Sequence, residues 1–251
     1  APVIMGTSEN ESKFFGLKQA VFYRDLLRKE TGRPIFLNLD HGKSFEYIKE
    51  AIDEGYDMVH FDGSKLSFEE NIKISQKVTK YAKKKGILVE GEIGQIGTDS
   101  SKLYDEKFKI DDANLTNPEQ ALEYVKKSKV DLLAVSIGTF HGIEVSGINP
   151  KLRLDILKKI KKEVGDMPLV LHGGSGTPRE DIKEAIKLGI VKININTELR
   201  LAYTGTIIRT LKANPDEITP YKYLPEAIKK VQSVVEEKIK LFGSCQKALQ
   251  P

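Results

Sequence analysis

The chain has a single cysteine, Cys245, in 251 residues. That excludes an internal disulfide and suits a reducing, cytoplasmic setting. Long apolar runs are missing: none approaches the ~18 residues that a membrane-spanning helix needs. No charged-then-apolar leader opens the sequence, which argues against secretion. Excess charge of one sign is missing too. The net charge is +4, and no basic stripe is interleaved with aromatics, so nucleic acid is not expected as a partner. The lysine runs Lys83–Lys85 and Lys158–Lys162 lie in helix-like segments and read as solvated faces.

What is present is apolar matter for one sizeable core, at a length near the ~250 residues of a (β/α)8 barrel built as a single domain. Short runs rich in Val, Ile and Leu recur: Val3–Met5, Ile35–Leu39, Met58–Phe61, Ile87–Val89, Leu132–Ile137, Leu169–Leu171 and Ile190–Ile195. Each ends in glycine or a polar cluster, the pattern of strands buried on both faces. Amphipathic stretches lie between them. Tyr47, Ile48, Ala51 and Ile52 form one stripe; Ile72, Ile74, Val78 and Ala82 form another. Asn117-Pro118 and Thr177-Pro178 read as helix starts, with proline at the first helical position. Strands alternating with helices predict an α/β fold around a parallel sheet. No linker divides the chain, so residues 1–251 are expected to form one domain, closed by a terminal helix at about 221–242.

The chemistry-bearing residues fall where the strands end. Asp40-His41-Gly42 follows the second run, Asp62-Gly63-Ser64 the third, and Glu90-Gly91-Glu92 surrounds Val89. Gly138-Thr139-Phe140-His141-Gly142, His172-Gly173-Gly174-Ser175-Gly176 and Asn194-Ile195-Asn196-Thr197-Glu198 follow the later runs. In a parallel barrel these ends meet on one rim, which carries the active site. Only four histidines exist, and three of them, His41, His141 and His172, lie at such ends. Three neutral imidazoles around an open position are a catalytic zinc arrangement. A lone histidine at a strand end more often caps the strand; three converging on one rim shift the balance to a metal. His60 shares strand parity with Asp62 and is expected one layer lower, buried with a hydrogen bond. Asp62 and Glu92 are placed to orient the imidazoles as acceptors, against the plainer reading of rim salt bridges. Asp40 leaves its strand in another direction from His41 and is expected to reach substrate. The glycine turn 172–176 before a helix offers backbone N–H groups to an anion, best suited to phosphate, with Asn196 and Thr197 as further donors.

These motifs together resemble the class II fructose-bisphosphate and tagatose-bisphosphate aldolases over nearly the whole chain. The carrying segments are Leu39-Asp40-His41-Gly42-Lys43-Ser44-Phe45-Glu46, Asp62-Gly63-Ser64, Val89-Glu90-Gly91-Glu92, Gly138-Thr139-Phe140-His141-Gly142, His172-Gly173-Gly174-Ser175-Gly176 and Lys192-Ile193-Asn194. The resemblance implies a (β/α)8 barrel and a reversible aldol cleavage of a phosphorylated ketose, through a zinc-stabilised enediolate, to dihydroxyacetone phosphate and an aldehyde. It implies zinc on His41, His141 and His172, and Asp40 as the acid for the aldehyde-derived oxygen. It implies Asn194 against the dihydroxyacetone carbons, Gly142, Gly173, Ser175, Asn196 and Thr197 on one phosphate, and Ser8 on the second. Family members are dimers or tetramers and often bind a monovalent cation, Na+ or K+, near the phosphate loops.

Asn38 stands where the family often has His, and the chain departs from the family pattern in three further places. His141-Gly142 continues as Ile143-Glu144-Val145, without the family's phosphate-binding lysine. The loop after Glu90 reads Gly97-Thr98-Asp99-Ser100-Ser101 in place of the family's acidic pair, which leaves Asp99 as the nearest carboxylate for exchanging the carbon proton. That loop, 94–112, is expected to be mobile for want of apolar residues. Third, the family's leading helix and first strand have no counterpart before Val3, so a gap one strand wide is expected between Val3–Met5 and Ile190–Ile195. Other readings remain open: a Schiff-base aldolase through Lys192, a metal-dependent hydrolase on the same barrel, and a sugar-phosphate-binding barrel with altered catalysis.

Overall fold

In the computed structural model, which describes residues 2–98 and 102–248, the apolar runs become strands and the amphipathic stretches become helices. In chain order the elements are β1 (Val3–Ser8), α1 (Glu9–Phe15), α2 (Leu17–Thr31), β2 (Ile35–Gly42), α3 (Phe45–Glu54), β3 (Met58–Phe61), α4 (Phe68–Lys83), β4 (Leu88–Ile93), β5 (Leu103–Tyr104), α5 (Pro118–Ser128), β6 (Leu132–Val135), β7 (Ile143–Glu144), α6 (Leu154–Val164), β8 (Leu169–Leu171), α7 (Arg179–Lys187), β9 (Ile190–Ile193), α8 (Thr197–Ala213) and α9 (Pro220–Leu241). Seven strands pair in parallel in the order β1-β2-β3-β4-β6-β8-β9, and β5 pairs with β7 in a separate ladder. No helix among the described residues is long and apolar enough to cross a membrane.

Alternate strand residues face opposite sides. Leu37, Leu39, Val59, Phe61, Val89, Leu133, Leu169 and Leu171 join one buried core with Ile48, Ile52, Val78, Tyr124, Leu157 and Ile160 of the covering helices. The residues between them on the strands, among them Asn38, His60, Glu90 and Lys192, are polar and buried. Side-chain caps fix four helix starts: Ser8 accepts from Glu11 N–H, Ser44 from Tyr47 N–H, Ser67 from Glu70 N–H, and Asn117 from Glu119 and Gln120 N–H. At Thr177-Pro178 the helix starts one residue later than the sequence suggests, with Pro178 at the cap position.

The closed eight-stranded barrel implied by the resemblance is not what the described residues form. The sheet is open, and no ladder joins β1 to β9. As an edge strand, β1 leaves Val3 and Ile4 exposed, and β9 leaves Val191 exposed. The sheet nevertheless curls. Laid flat, β2 and β9 would stand about 24 Å apart at five strand spacings. Yet Asn194, just past β9, donates to Asp40 of β2 at 3.0 Å, and Arg200 of α8 meets Glu11 of α1 at 2.7 Å.

Candidate metal centre

Two consecutive residues of β2, Asp40 and His41, both reach this centre, which regular strand alternation forbids. The ladder shows how. Leu39 pairs with Val59 and Gly42 with Phe61, so two residues, Asp40 and His41, stand opposite one, His60. This is a β-bulge, a device that re-aims side chains beside active sites. His41 occupies the left-handed region at φ 52°, uncommon for a residue with a side chain. Its backbone N–H donates to the ring of His60, at 3.1 Å from Nδ1.

The imidazoles of His41 and His172 face each other, with His41 Nε2 and His172 Nδ1 2.9 Å apart. Each ring has a carboxylate behind it. Asp62 Oδ2 stands 3.0 Å from His41 Nδ1, and Glu90 Oε1 stands 2.6 Å from His172 Nε2. A carboxylate accepts, so each rear nitrogen carries the proton and each front nitrogen of a neutral ring presents a lone pair. Two lone pairs pointed at each other repel unless a cation sits between them. In the metal-free chain a proton does so, in keeping with the His41 pKa, where burial is outweighed by Asp40 and Asp62, which raise it. A metal ion is the other cation that fits. Two nitrogens on a tetrahedral zinc stand about 3.3 Å apart, given zinc–nitrogen bonds of about 2.0–2.1 Å, so little movement is needed. Lys192 Nζ holds the other oxygen of Glu90 at 2.7 Å.

Charge makes the same case. Four carboxylates, Asp40, Asp62, Glu90 and Glu92, converge here against one ammonium, Lys192. Glu92 Oε2 and His60 Nε2 are buried without a hydrogen-bond partner, 3.3 Å apart. Uncompensated buried negative charge is costly and calls for a cation. Burial works to raise the Asp40 carboxyl pKa, but His41, His60, His172 and Lys192 outweigh it and hold Asp40 well below the usual carboxylate range. The pKa values of Asp62 and Glu90 are likewise lowered despite burial, the first chiefly by His41, the second by Lys192 and His172. Burial opposes charge on His60, whereas Asp40, Glu90 and Glu92 pull its pKa up. A second proton would have to sit on Nδ1, where the His41 N–H already points. The geometry therefore favours the neutral ring protonated at Nε2.

His141 stands apart from His41 and His172. It lies on the loop between β6 and β7, its ring centre 4.9 Å from that of His41 and 6.4 Å from that of His172. Burial and the nearby His41 and His172 lower its pKa to about 4, so its ring is neutral and keeps a lone pair. The atoms drawn tightly enough to share an ion come from Asp40, His41, His60 and His172, and from His41, Asp62 and Glu92. His141 is not among them as the chain stands. Its loop is tied to the segment that follows β4. His141 N–H donates to the Gly97 carbonyl at 3.0 Å, Thr98 Oγ1 donates to the His141 carbonyl, and Phe108 stacks on Phe140 at 4.5 Å. The described residues of this segment thus include aromatic and ladder contacts. Asp99 lies outside the described residues.

The remaining expected residues surround this centre. Asn194 donates to Asp40 and approaches His172 Nδ1 at 3.3 Å. Gly173 has φ 63°, and a Cβ there would fall 2.4 Å from the Phe140 carbonyl oxygen, so only glycine fits. Asn149 Nδ2 donates to the carbonyls of both Gly142 and Ser175, at 3.0 Å each, and so holds the two proposed phosphate loops together. Ser175 is buried and accepts from the Glu198 N–H; Asn196 stands before α8 and Thr197 opens it. Ser8 caps α1 and is engaged with Glu11 in both directions. Glu92, expected to orient an imidazole, stands 3.9 Å from His41 Nδ1 and makes no hydrogen bond to it. Glu90 is the acceptor behind His172. The sequence reading passed over Glu90, although it shares strand parity with Glu92.

This fold and this donor set define a metal-binding lyase of known kind: the chain belongs to the class II fructose-bisphosphate aldolase family, whose model, "Fructose-bisphosphate aldolase class-II", matches residues 1–247. It is 40% identical over 249 residues to a sulfofructosephosphate aldolase of Alkalicoccus urumqiensis, across 99% of this chain and 84% of that one. It is 38% identical over 272 residues to a fructose-bisphosphate aldolase of Thermus caldophilus, across 99% and 87%. Among solved structures it is similar to the YdjI aldolase of Escherichia coli K12, with a TM-score of 0.80 and 33% identity over 99% of this chain and 84% of that one.

Proposed function

We propose that this aldolase is zinc-dependent and cleaves a phosphorylated ketose reversibly into dihydroxyacetone phosphate and an aldehyde. The observation that carries the reading is the face-to-face pair His41 and His172, each with a carboxylate on its far nitrogen and the two near nitrogens 2.9 Å apart. His141 would complete the nitrogen set by moving with its loop. A zinc ion held there would draw off the negative charge that bond cleavage leaves beside the carbonyl. Asp40 is ionised at neutral pH and braced by Asn194. In the cleavage direction it takes the proton of the hydroxyl that becomes the aldehyde oxygen, and in condensation it returns that proton. Asn194 also faces the dihydroxyacetone carbons. Gly142, Gly173, Ser175, Asn196 and Thr197 hold the phosphate, and Ser8 faces the far end of the substrate. Asp99 is assigned the exchange of the carbon proton. A monovalent cation near the phosphate loops and an assembly of two or four copies belong to the same reading. The relatives named above act on fructose bisphosphate and on sulfofructose phosphate, so both sugars are the first substrates to assay.

The test is cleavage by protein depleted with a chelator and then reloaded with zinc. Loss and recovery of activity, with no covalent trapping by borohydride, is the expected result. Activity that survives chelation, or trapping at Lys192, would remove the reading.

A further inference from the structure

His60 has no role in the reading above, yet it is fully buried beneath the metal centre, with ring centres 4.7 Å from both His41 and His172. It stands at the one position of β3 that faces two residues of β2. A bulge leaves the extra residue's backbone without a ladder partner, and a buried N–H without a partner costs about 1–3 kcal/mol. Here the orphan is the N–H of His41, and the side chain of His60 supplies its acceptor, Nδ1 at 3.1 Å. The left-handed backbone of His41, at φ 52°, is itself unfavourable by about 1–2 kcal/mol, so the bulge needs such a hold to persist.

We propose that His60 is a positioning residue that clamps the Asp40–His41 bulge through Nδ1, and so aims both side chains into the centre. Without the clamp the strand would relax toward regular pairing. Alternation would then leave Asp40 inward and turn His41 toward the helices. The rival role, His60 as a metal ligand, has its geometry against it. Nδ1 is the nitrogen nearest Asp40, at 3.5 Å, and its lone pair is already taken by the His41 N–H. Nε2 faces Glu92 instead, at 3.3 Å.

The consequence for metal binding rests on the function proposed above; the consequence for the backbone does not. Three substitutions separate the possibilities. His60→Asn places an amide oxygen near the position of Nδ1, His60→Gln places its amide near Nε2, and His60→Met keeps volume with only a weak acceptor. Two readouts apply: zinc affinity by chelator competition, and hydrogen exchange of the His41 amide in metal-free protein. His60→Asn is expected to stay within about threefold of the parent in zinc affinity. His60→Gln and His60→Met are expected to lose about 10–100-fold, the usual effect of removing a group that orients a ligand. The His41 amide should exchange at least about tenfold faster in His60→Met and near the parent rate in His60→Asn. Parent-like protection of that amide in His60→Met overturns the clamp. So does zinc loss in His60→Asn equal to that in His60→Met while the amide stays protected, which would make His60 a ligand. A parent protein that binds no zinc would sink the proposed function, while the exchange measurement would still decide the clamp. If His60→Met does not fold, the contrast between His60→Asn and His60→Gln decides it by the same two readouts.

Discussion

Charged side chains cluster at both ends of this sheet, and the two clusters differ in one respect. At the base, where strands begin, Arg24 contacts Asp25 at 2.7 Å, Asp57 at 2.8 Å and the Gly55 carbonyl at 2.8 Å. Arg28 reaches Asp57 at 3.0 Å and the Ile35 carbonyl at 2.6 Å, and Asp57 also accepts from Leu37 N–H. Two guanidiniums meet two carboxylates, so the cluster is complete as it stands. At the rim, four carboxylates meet one ammonium, Glu92 Oε2 and His60 Nε2 have no hydrogen-bond partner, and the imidazoles of His41 and His172 meet nitrogen to nitrogen. The base ties α2 to β2 and β3. The rim is unfinished without a cation. In barrel folds, features at the strand starts generally serve stability and features at the strand ends serve chemistry.

Substitutions at the two ends should therefore separate stability from turnover. The largest effect is expected from Asp40→Ala, which should lower kcat by about 10²–10⁴-fold, the range for a lost acid–base group, with zinc still bound by metal analysis. Loss of zinc in that variant would make Asp40 a ligand and blur the contrast. Asp57→Ala, at the base, should cost about 3 kcal/mol of unfolding free energy in a denaturant titration. That is the lower end of the range for unpairing a buried charge, because the Asp57 side chain is 24% exposed. Its kcat should match the parent; a fall in kcat would mean that the base takes part in catalysis. Asp62→Asn, at the rim, should weaken zinc by about 10–100-fold while leaving the metal-free melting temperature near the parent value. Equal zinc affinity would show that Asp62 does not orient His41.

The smallest expected effect is a pH dependence. Burial, with His41 and His172 nearby, lowers the His141 pKa to about 4 in the folded chain, against about 6.5 when unfolded. Between those values the unfolded chain binds the proton and the folded chain does not, so stability falls as pH drops from about 6.5 toward about 4. His141→Gln should flatten that part of the metal-free stability profile. An unchanged slope would place His141 in water.

Much of this was legible along the chain. Runs of Val, Ile and Leu bounded by glycine marked all seven strands of the main sheet, because a strand covered on both faces must be apolar on both. Helices with a clear stripe, α3 and α4, were legible too. By contrast, α2 buries only Ala20 and Arg24, and α8 only Thr197 and Thr206, so neither shows a stripe to read. His41, His172, Asp40, Asp62 and Asn194 stood out because polar residues at the ends of apolar runs gather on one rim. Strand parity also carries a signal for Glu90 through Glu92 and for Lys192 through Asn194. That signal places a side chain inside without saying which partner it meets.

The sequence by itself determined the parallel α/β architecture, the glycine turns and the supply of imidazoles and carboxylates at the strand ends. These follow from local rules: period two along strands, period 3.6 along helices, and the conformations open to glycine. Only the tertiary structure decided the pairings. The curl of the sheet brings His172 to His41 and Asn194 to Asp40 across 131 and 154 residues. Register sets Glu90, not Glu92, behind His172. A one-residue bulge opposite His60 lets neighbours Asp40 and His41 share one centre. None of these can be read along one strand, because each depends on where a second strand comes to rest beside it or across the curl.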